Sequence, residues 1–115
     1  MIRLDLKRES YWLDLGHGVR VNVRPATTAL VMAARVTALK NATEETDTGT
    51  RSATLIKKLA ELAIIGWDGV GDSEDHLAEV TPEAVSALMD LWPLADAFER
   101  LYLAPTLILD QEKNA

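Results

Sequence analysis

Apolar and polar residues alternate with one rhythm at the start of the chain and with another through the rest. Residues 2–7 set Ile2, Leu4 and Leu6 against Arg3, Asp5 and Lys7, the period of two of a half-buried strand. Tyr11-Trp12-Leu13-Asp14-Leu15 and Val19-Arg20-Val21-Asn22-Val23-Arg24 repeat that period on either side of Gly16-His17-Gly18, which predicts a β-hairpin closed by a glycine-rich turn. Val19, Val21 and Val23 should share one face and Arg20, Asn22 and Arg24 the other. Pro25 ends the strand because it has no N–H to give to a ladder.

Beyond Pro25 the spacing becomes helical. Thr27 or Thr28 can cap a helix from about Ala29 to Lys40 that is rich in alanine and interrupted only by Arg35. A helix apolar on most of its faces is either well buried or part of an interface. Residues 41–49 are polar and acidic and read as a loop. Thr50 or Ser52 should open a second helix through about Ile65, with Leu55, Leu59 and Leu62 inward, Lys57, Lys58 and Glu61 opposite, and Gly66 as its stop. The stretch Trp67–Glu79, with acids at Asp68, Asp72, Glu74, Asp75 and Glu79, reads as an exposed loop or a short hairpin. Thr81-Pro82-Glu83 is a helix start: a threonine cap, proline in the first turn, and an acid at the positive end of the helix dipole. Val85, Leu88, Met89 and Trp92 then line one face. Pro93 should push Trp92 out of helical geometry and start a further helix carrying Leu94, Phe98, Leu101 and Tyr102, which Pro105 breaks before Leu107-Ile108-Leu109 and a polar tail.

The expected fold is therefore α+β, an N-terminal antiparallel β-hairpin or three-stranded sheet packed against a bundle of four to five α-helices. One domain of 115 residues holds it: sheet over 1–24, two helices over 25–66, an acidic loop over 67–80 and proline-broken helices over 81–115.

Charge divides the chain. The net charge of −6 combines ten basic and seven acidic side chains in residues 1–66 with two basic and eleven acidic ones in residues 67–115. An acidic second half repels phosphate, so no nucleic-acid partner is expected. A basic protein partner, self-association of the oppositely charged halves into a homo-oligomer, or a solvated surface would each suit the asymmetry. There is no cysteine, which removes disulfides and thiolate chemistry. No apolar run approaches the roughly 18 residues that span a bilayer, and the start has no signal-like apolar stretch. A cytoplasmic protein with no membrane partner is expected.

Candidate chemistry is sparse. His17 belongs to a tight turn, and His76, among Glu74, Asp75 and Glu79, does not specify a converging metal site. Asp68 to Asp75 lacks the oxygen ladder and the glycine of a calcium loop. Gly66, Gly69 and Gly71 are followed by no lysine that would complete a phosphate cradle. No carboxylate pair sits in an apolar setting suited to acid–base work. Neither an enzyme nor a cofactor or metal is expected. The tryptophans Trp12, Trp67 and Trp92 read first as the core's largest pieces in a chain with one phenylalanine and two tyrosines; as contact residues, which interfaces draw from large amphipathic rings, Trp67 and Trp12 come ahead of Trp92.

Ala63-Ile64-Ile65-Gly66-Trp67-Asp68-Gly69-Val70-Gly71-Asp72, Val80-Thr81-Pro82-Glu83-Ala84-Val85 with Leu88-Met89, Leu91-Trp92-Pro93-Leu94-Ala95, Phe98 to Pro105 and Glu112-Lys113-Asn114 together resemble a group of small tailed-phage and prophage tail-module proteins similar to tail assembly chaperones. The likeness covers about 50 residues. One departure lies in the loop: relatives often carry an asparagine–glycine type turn where this chain has Ser73-Glu74-Asp75-His76. The resemblance implies a non-enzymatic chaperone, in the host cytoplasm, that holds the tape-measure or tail-tube protein during tail assembly. A client segment would dock by helix-in-groove contact, with Trp67, Val70, Trp92, Phe98 and Tyr102 as the protein-binding residues. Two alternatives remain at this level: a structural virion component, such as a head–tail connector or tail terminator, and a small regulatory protein.

Overall fold

The computed structural model describes residues 9–40 and 47–104. The strand expected at 2–7, most of the loop at 41–49, the break at Pro105 and the closing apolar turn and tail lie outside the described residues. Within them the fold is α+β: a three-stranded antiparallel sheet in the order β1-β2-β3, with four α-helices and a π-helical turn.

The hairpin forms as its alternation requires. Strands β1 (Tyr11–Gly16) and β2 (Val19–Val23) pair from Tyr11 opposite Val23 to Asp14 opposite Arg20, with a slip before Gly16. The turn needs positive φ at three successive residues, 81° at Gly16, 55° at His17 and 77° at Gly18, and glycine at two of them makes it accessible. Val19, Val21 and Val23 are buried, and Arg20 and Asn22 face away from the core.

Helix α1 (Thr28–Lys40) is capped by Thr27, whose Oγ1 accepts from the Leu30 N–H at 3.2 Å. Helix α2 (Thr48–Ala63) starts earlier than the expected Thr50 or Ser52. Asp47 is its cap, accepting from the Thr50 N–H at 2.6 Å, and this holds the Asp47 carboxyl below its ordinary pKa.

The far end of α2 is the main correction to the expected elements. The helix does not run to Ile65 with Gly66 as its stop. It ends at Ala63, and Ile64–Asp68 becomes β3, antiparallel to β2, with Trp67 opposite Val21 and Gly66 opposite Asn22. Two β-branched isoleucines lose side-chain freedom in a helix but fit a pleated surface, and the open edge of β2 supplies the backbone partners. Trp67, expected in a loop, is therefore a sheet residue.

Helix α3 (Pro82–Met89) begins as expected, the Thr81 Oγ1 accepting from the Ala84 N–H at 3.1 Å. Helix α4 (Trp92–Phe98) begins one residue sooner than Pro93 suggested: Leu91 takes the extended conformation, and Trp92 occupies the first helical position. A π-helical turn, Glu99–Leu103, continues α4.

One core joins these elements. Val21, Val23 and Trp67 from the sheet meet Leu59, Ala60 and Ala63 of α2, Val85, Leu88 and Met89 of α3, and Leu94, Phe98 and Tyr102. Among the described residues, no polar or charged side chain is buried and no helix is long and apolar enough to cross a membrane.

Candidate protein-binding surfaces

Four of the five residues expected to bind a partner turn inward, wholly or in part. Trp67 is only 5% exposed, and its Nε1 donates to the Ala78 carbonyl at 2.8 Å, tying β3 to the loop that follows. Phe98 and Tyr102 are fully enclosed and stacked, with ring centroids 5.0 Å apart. The Tyr102 hydroxyl donates to the Arg24 carbonyl at 2.7 Å. Burial, and then the charge of neighbouring Tyr11, push the Tyr102 hydroxyl far above an ordinary tyrosine pKa. Val70 is half-buried against the same core. The physical reason is shared: the stripe Leu94, Phe98, Tyr102 has the spacing either of a docking face or of a core face, and here the sheet occupies it. Trp92 is the exception, 66% exposed at the start of α4.

The loop after β3 is a pinned hairpin. Gly71 bridges Leu77, the Ala78 N–H donates to the Val70 carbonyl at 2.9 Å, and the Asp72 carboxylate accepts from the N–H groups of Glu74 and His76. Gly69, at φ 79°, crosses the hairpin turn so closely that a Cβ there would overlap the Gly18 carbonyl oxygen. His76 and Glu74 are highly exposed, with 3.8 Å between Nδ1 and Oε2. His17 stands at the exposed turn. Among the described residues, no three His, Cys, Asp or Glu side chains converge on one point.

Among the described residues, two open apolar surfaces stand out. The first is the outer face of α1. At about 100° per residue, Val31, Ala34 and Ala38 point one way, and α2 is the one element with which α1 packs extensively. The opposite side carries Ala29, Met32, Ala33 and Val36, while Leu39 lies between the two sides, on a depression shared with Arg35, Ala38 and, from α2, Arg51 and Leu55. Met32 is 49% exposed, Val36 48% and Leu39 68%. Only Ala34 of this helix is fully buried, so α1 is apolar on both sides while one side faces solvent. The sequence posed this as burial or interface, and burial is not what the structure has. Residues 24–40 hold Arg24, Arg35 and Lys40 and no acid.

The second surface is a groove of about 380 Å³ between α2 and the α3–α4 corner. Ile56, Met89 and Ala95 line it, Gly49, Ser52 and Ala53 keep one wall low, and Trp92 stands on the other side. Lys57 crosses its edge to Asp90 at 2.6 Å. Sequence reasoning had Trp92 without the groove, because the α2 wall is some forty residues away along the chain.

Another exposed ring, Trp12, is on the outer sheet face. The Arg20 guanidinium lies 5.1 Å from its centroid and pairs with Asp68 at 2.7 Å, so this tryptophan already has a partner within the chain.

Comparison with protein-family models, curated proteins and solved structures found no match.

Proposed function

We propose that this chain is a non-enzymatic binding protein, and that it acts as a tail assembly chaperone for a tape-measure or tail-tube protein. The observation that carries the binding role is the outer face of α1, whose medium and large apolar side chains stand in solvent with no element of the chain packed on them among the described residues. Large contiguous patches of exposed apolar surface mark interaction sites. The assignment to tail assembly rests on the residue pattern from Ala63 onward.

The test is co-expression with the tape-measure and tail-tube proteins of the same module, followed by affinity capture. A soluble complex with one of them is expected, and it should be lost in the double variant Met32→Glu, Val36→Glu. Both positions are about half exposed, so circular dichroism and melting should match the parent. Failure to capture either protein rules out the chaperone reading, and a complex untouched by the double variant removes α1 from it.

A further inference from the structure

The groove beside Trp92 is separate from the α1 face and differs from it in charge. We infer that it is a second recognition site, and that its occupant is an amphipathic helical segment of another protein that presents an apolar anchor flanked by lysine or arginine.

Shape sets the anchor. The floor, Ile56, Met89 and Ala95, is apolar, and Gly49, Ser52 and Ala53 leave room above α2 for an approaching backbone. Trp92, two-thirds exposed, supplies a wall. A tryptophan on the rim of an apolar depression offers large contact area at low conformational cost. Helix-in-groove docking places an apolar side chain in such a depression and its polar neighbours on the rim.

Charge sets the flanks. The cations around this surface are already engaged within the chain: Lys57 with Asp90, Lys58 with Glu61 at 3.3 Å, and Arg100 with Asp96 at 3.3 Å. Glu99 on the groove and Glu83 on the adjoining depression, which shares Asp90 with it, have no cation partner among the described residues. Among the described residues the groove therefore carries one uncompensated carboxylate, Glu99, the depression next to it carries another, Glu83, and the cations of both are engaged within the chain. An acidic segment would meet like charge there, whereas lysine or arginine would meet Glu83, Glu99 and the π-face of Trp92. The α1 face has the reverse bias, so the two surfaces select different segments.

Trp92 also provides the readout. In a Trp12→Phe background it is the exposed tryptophan of the described chain, Trp67 being enclosed. Two synthetic helical peptides with the same apolar face, one flanked by lysines and the other by glutamates, are titrated against that protein. The lysine peptide should shift the tryptophan emission to the blue and bind at least tenfold more tightly by calorimetry, with an advantage that shrinks as salt rises. Trp92→Ala should abolish calorimetric binding with an unchanged melt. The pair Glu83→Gln, Glu99→Gln should remove the preference for lysine, and Met32→Glu with Val36→Glu should leave it intact. Equal binding of the two peptides, binding of neither, or lysine-peptide binding that survives Trp92→Ala would each overturn the inference. None of these outcomes depends on the tail-protein capture above, so either idea can fail alone.

Discussion

Replacing Tyr102 by phenylalanine removes one oxygen atom and keeps the ring stacked on Phe98, so it isolates the hydroxyl's contribution. The ring is enclosed, and at the edge of the core its hydroxyl donates at 2.7 Å to the Arg24 carbonyl, joining the π-helical turn to the segment just after β2. A net hydrogen bond contributes roughly 0.5–1.5 kcal/mol, and an acceptor left without a donor adds a desolvation penalty. Because the bond is only partly shielded, water can reach the freed carbonyl. The expected loss is therefore about 1–2 kcal/mol, or a Tm lower by roughly 3–8 °C for a domain of this size. Tyr11→Phe, at a ring that is 41% exposed, is the control and should change stability by less than about 0.5 kcal/mol. A second arm uses pH. The folded-state pKa of Tyr102 is raised, so its contribution is complete below the unfolded value near 10 and is lost as pH climbs above it, because the unfolded chain releases a proton that the folded chain keeps. The slope approaches about 1.36 kcal/mol per pH unit for this one group. Urea unfolding at pH 7 and across pH 9–11, with absorbance at 295 nm to count tyrosinates, measures both effects. Wild type should steepen its loss above pH 10, and Tyr102→Phe should flatten it. Stability within about 0.3 kcal/mol of wild type, together with two tyrosines titrating as one near pH 10, would refute the reasoning.

Three further substitutions probe the frame. Gly69→Ala combines a positive φ with a collision against the hairpin turn and should lower stability by more than about 2 kcal/mol, read by denaturant midpoint. Phe98→Ala opens a cavity in the enclosed core and should remove about 3–5 kcal/mol, enough to unfold a marginal domain in a thermal scan. Thr81→Ala deletes the cap of α3, with an expected loss of about 1 kcal/mol in the same assay.

Local signals were legible wherever they were self-contained. Gly16-His17-Gly18 between two alternating runs specifies its hairpin without help from the rest of the chain, and Thr81-Pro82-Glu83 states a helix start in three residues. Strand β3 was not legible, because Ile64 and Ile65 continue the apolar run of α2 and only the distant edge of β2 turns them into a strand. The choice of face failed for the same reason. Nothing along the chain distinguishes a stripe that will meet solvent from one that will meet a sheet, so the spacing of Phe98 and Tyr102 suits docking as well as the core in which they lie. Trp92, expected on one face with Val85, Leu88 and Met89, lies outside instead, because extended Leu91 ends that face and a new helix starts at Trp92. The double-sided apolarity of α1 was visible from the start, and what it lacked was knowledge of which side α2 would cover.

The way α1 is attached has a consequence for how the molecule opens. Its extensive packing is with α2 alone, and it commits a single fully enclosed side chain, Ala34, to the core. Detaching it leaves the sheet, α2, α3 and α4 joined to one another, so its backbone amides should exchange with deuterated solvent through a shallow local opening long before the strands do. A partner that covers the outer face must hold α1 down as it binds. The slowing of exchange at residues 28–40, with the sheet unchanged, would then measure occupancy, and the helix that is loosest in isolation would become a gauge of whatever it meets.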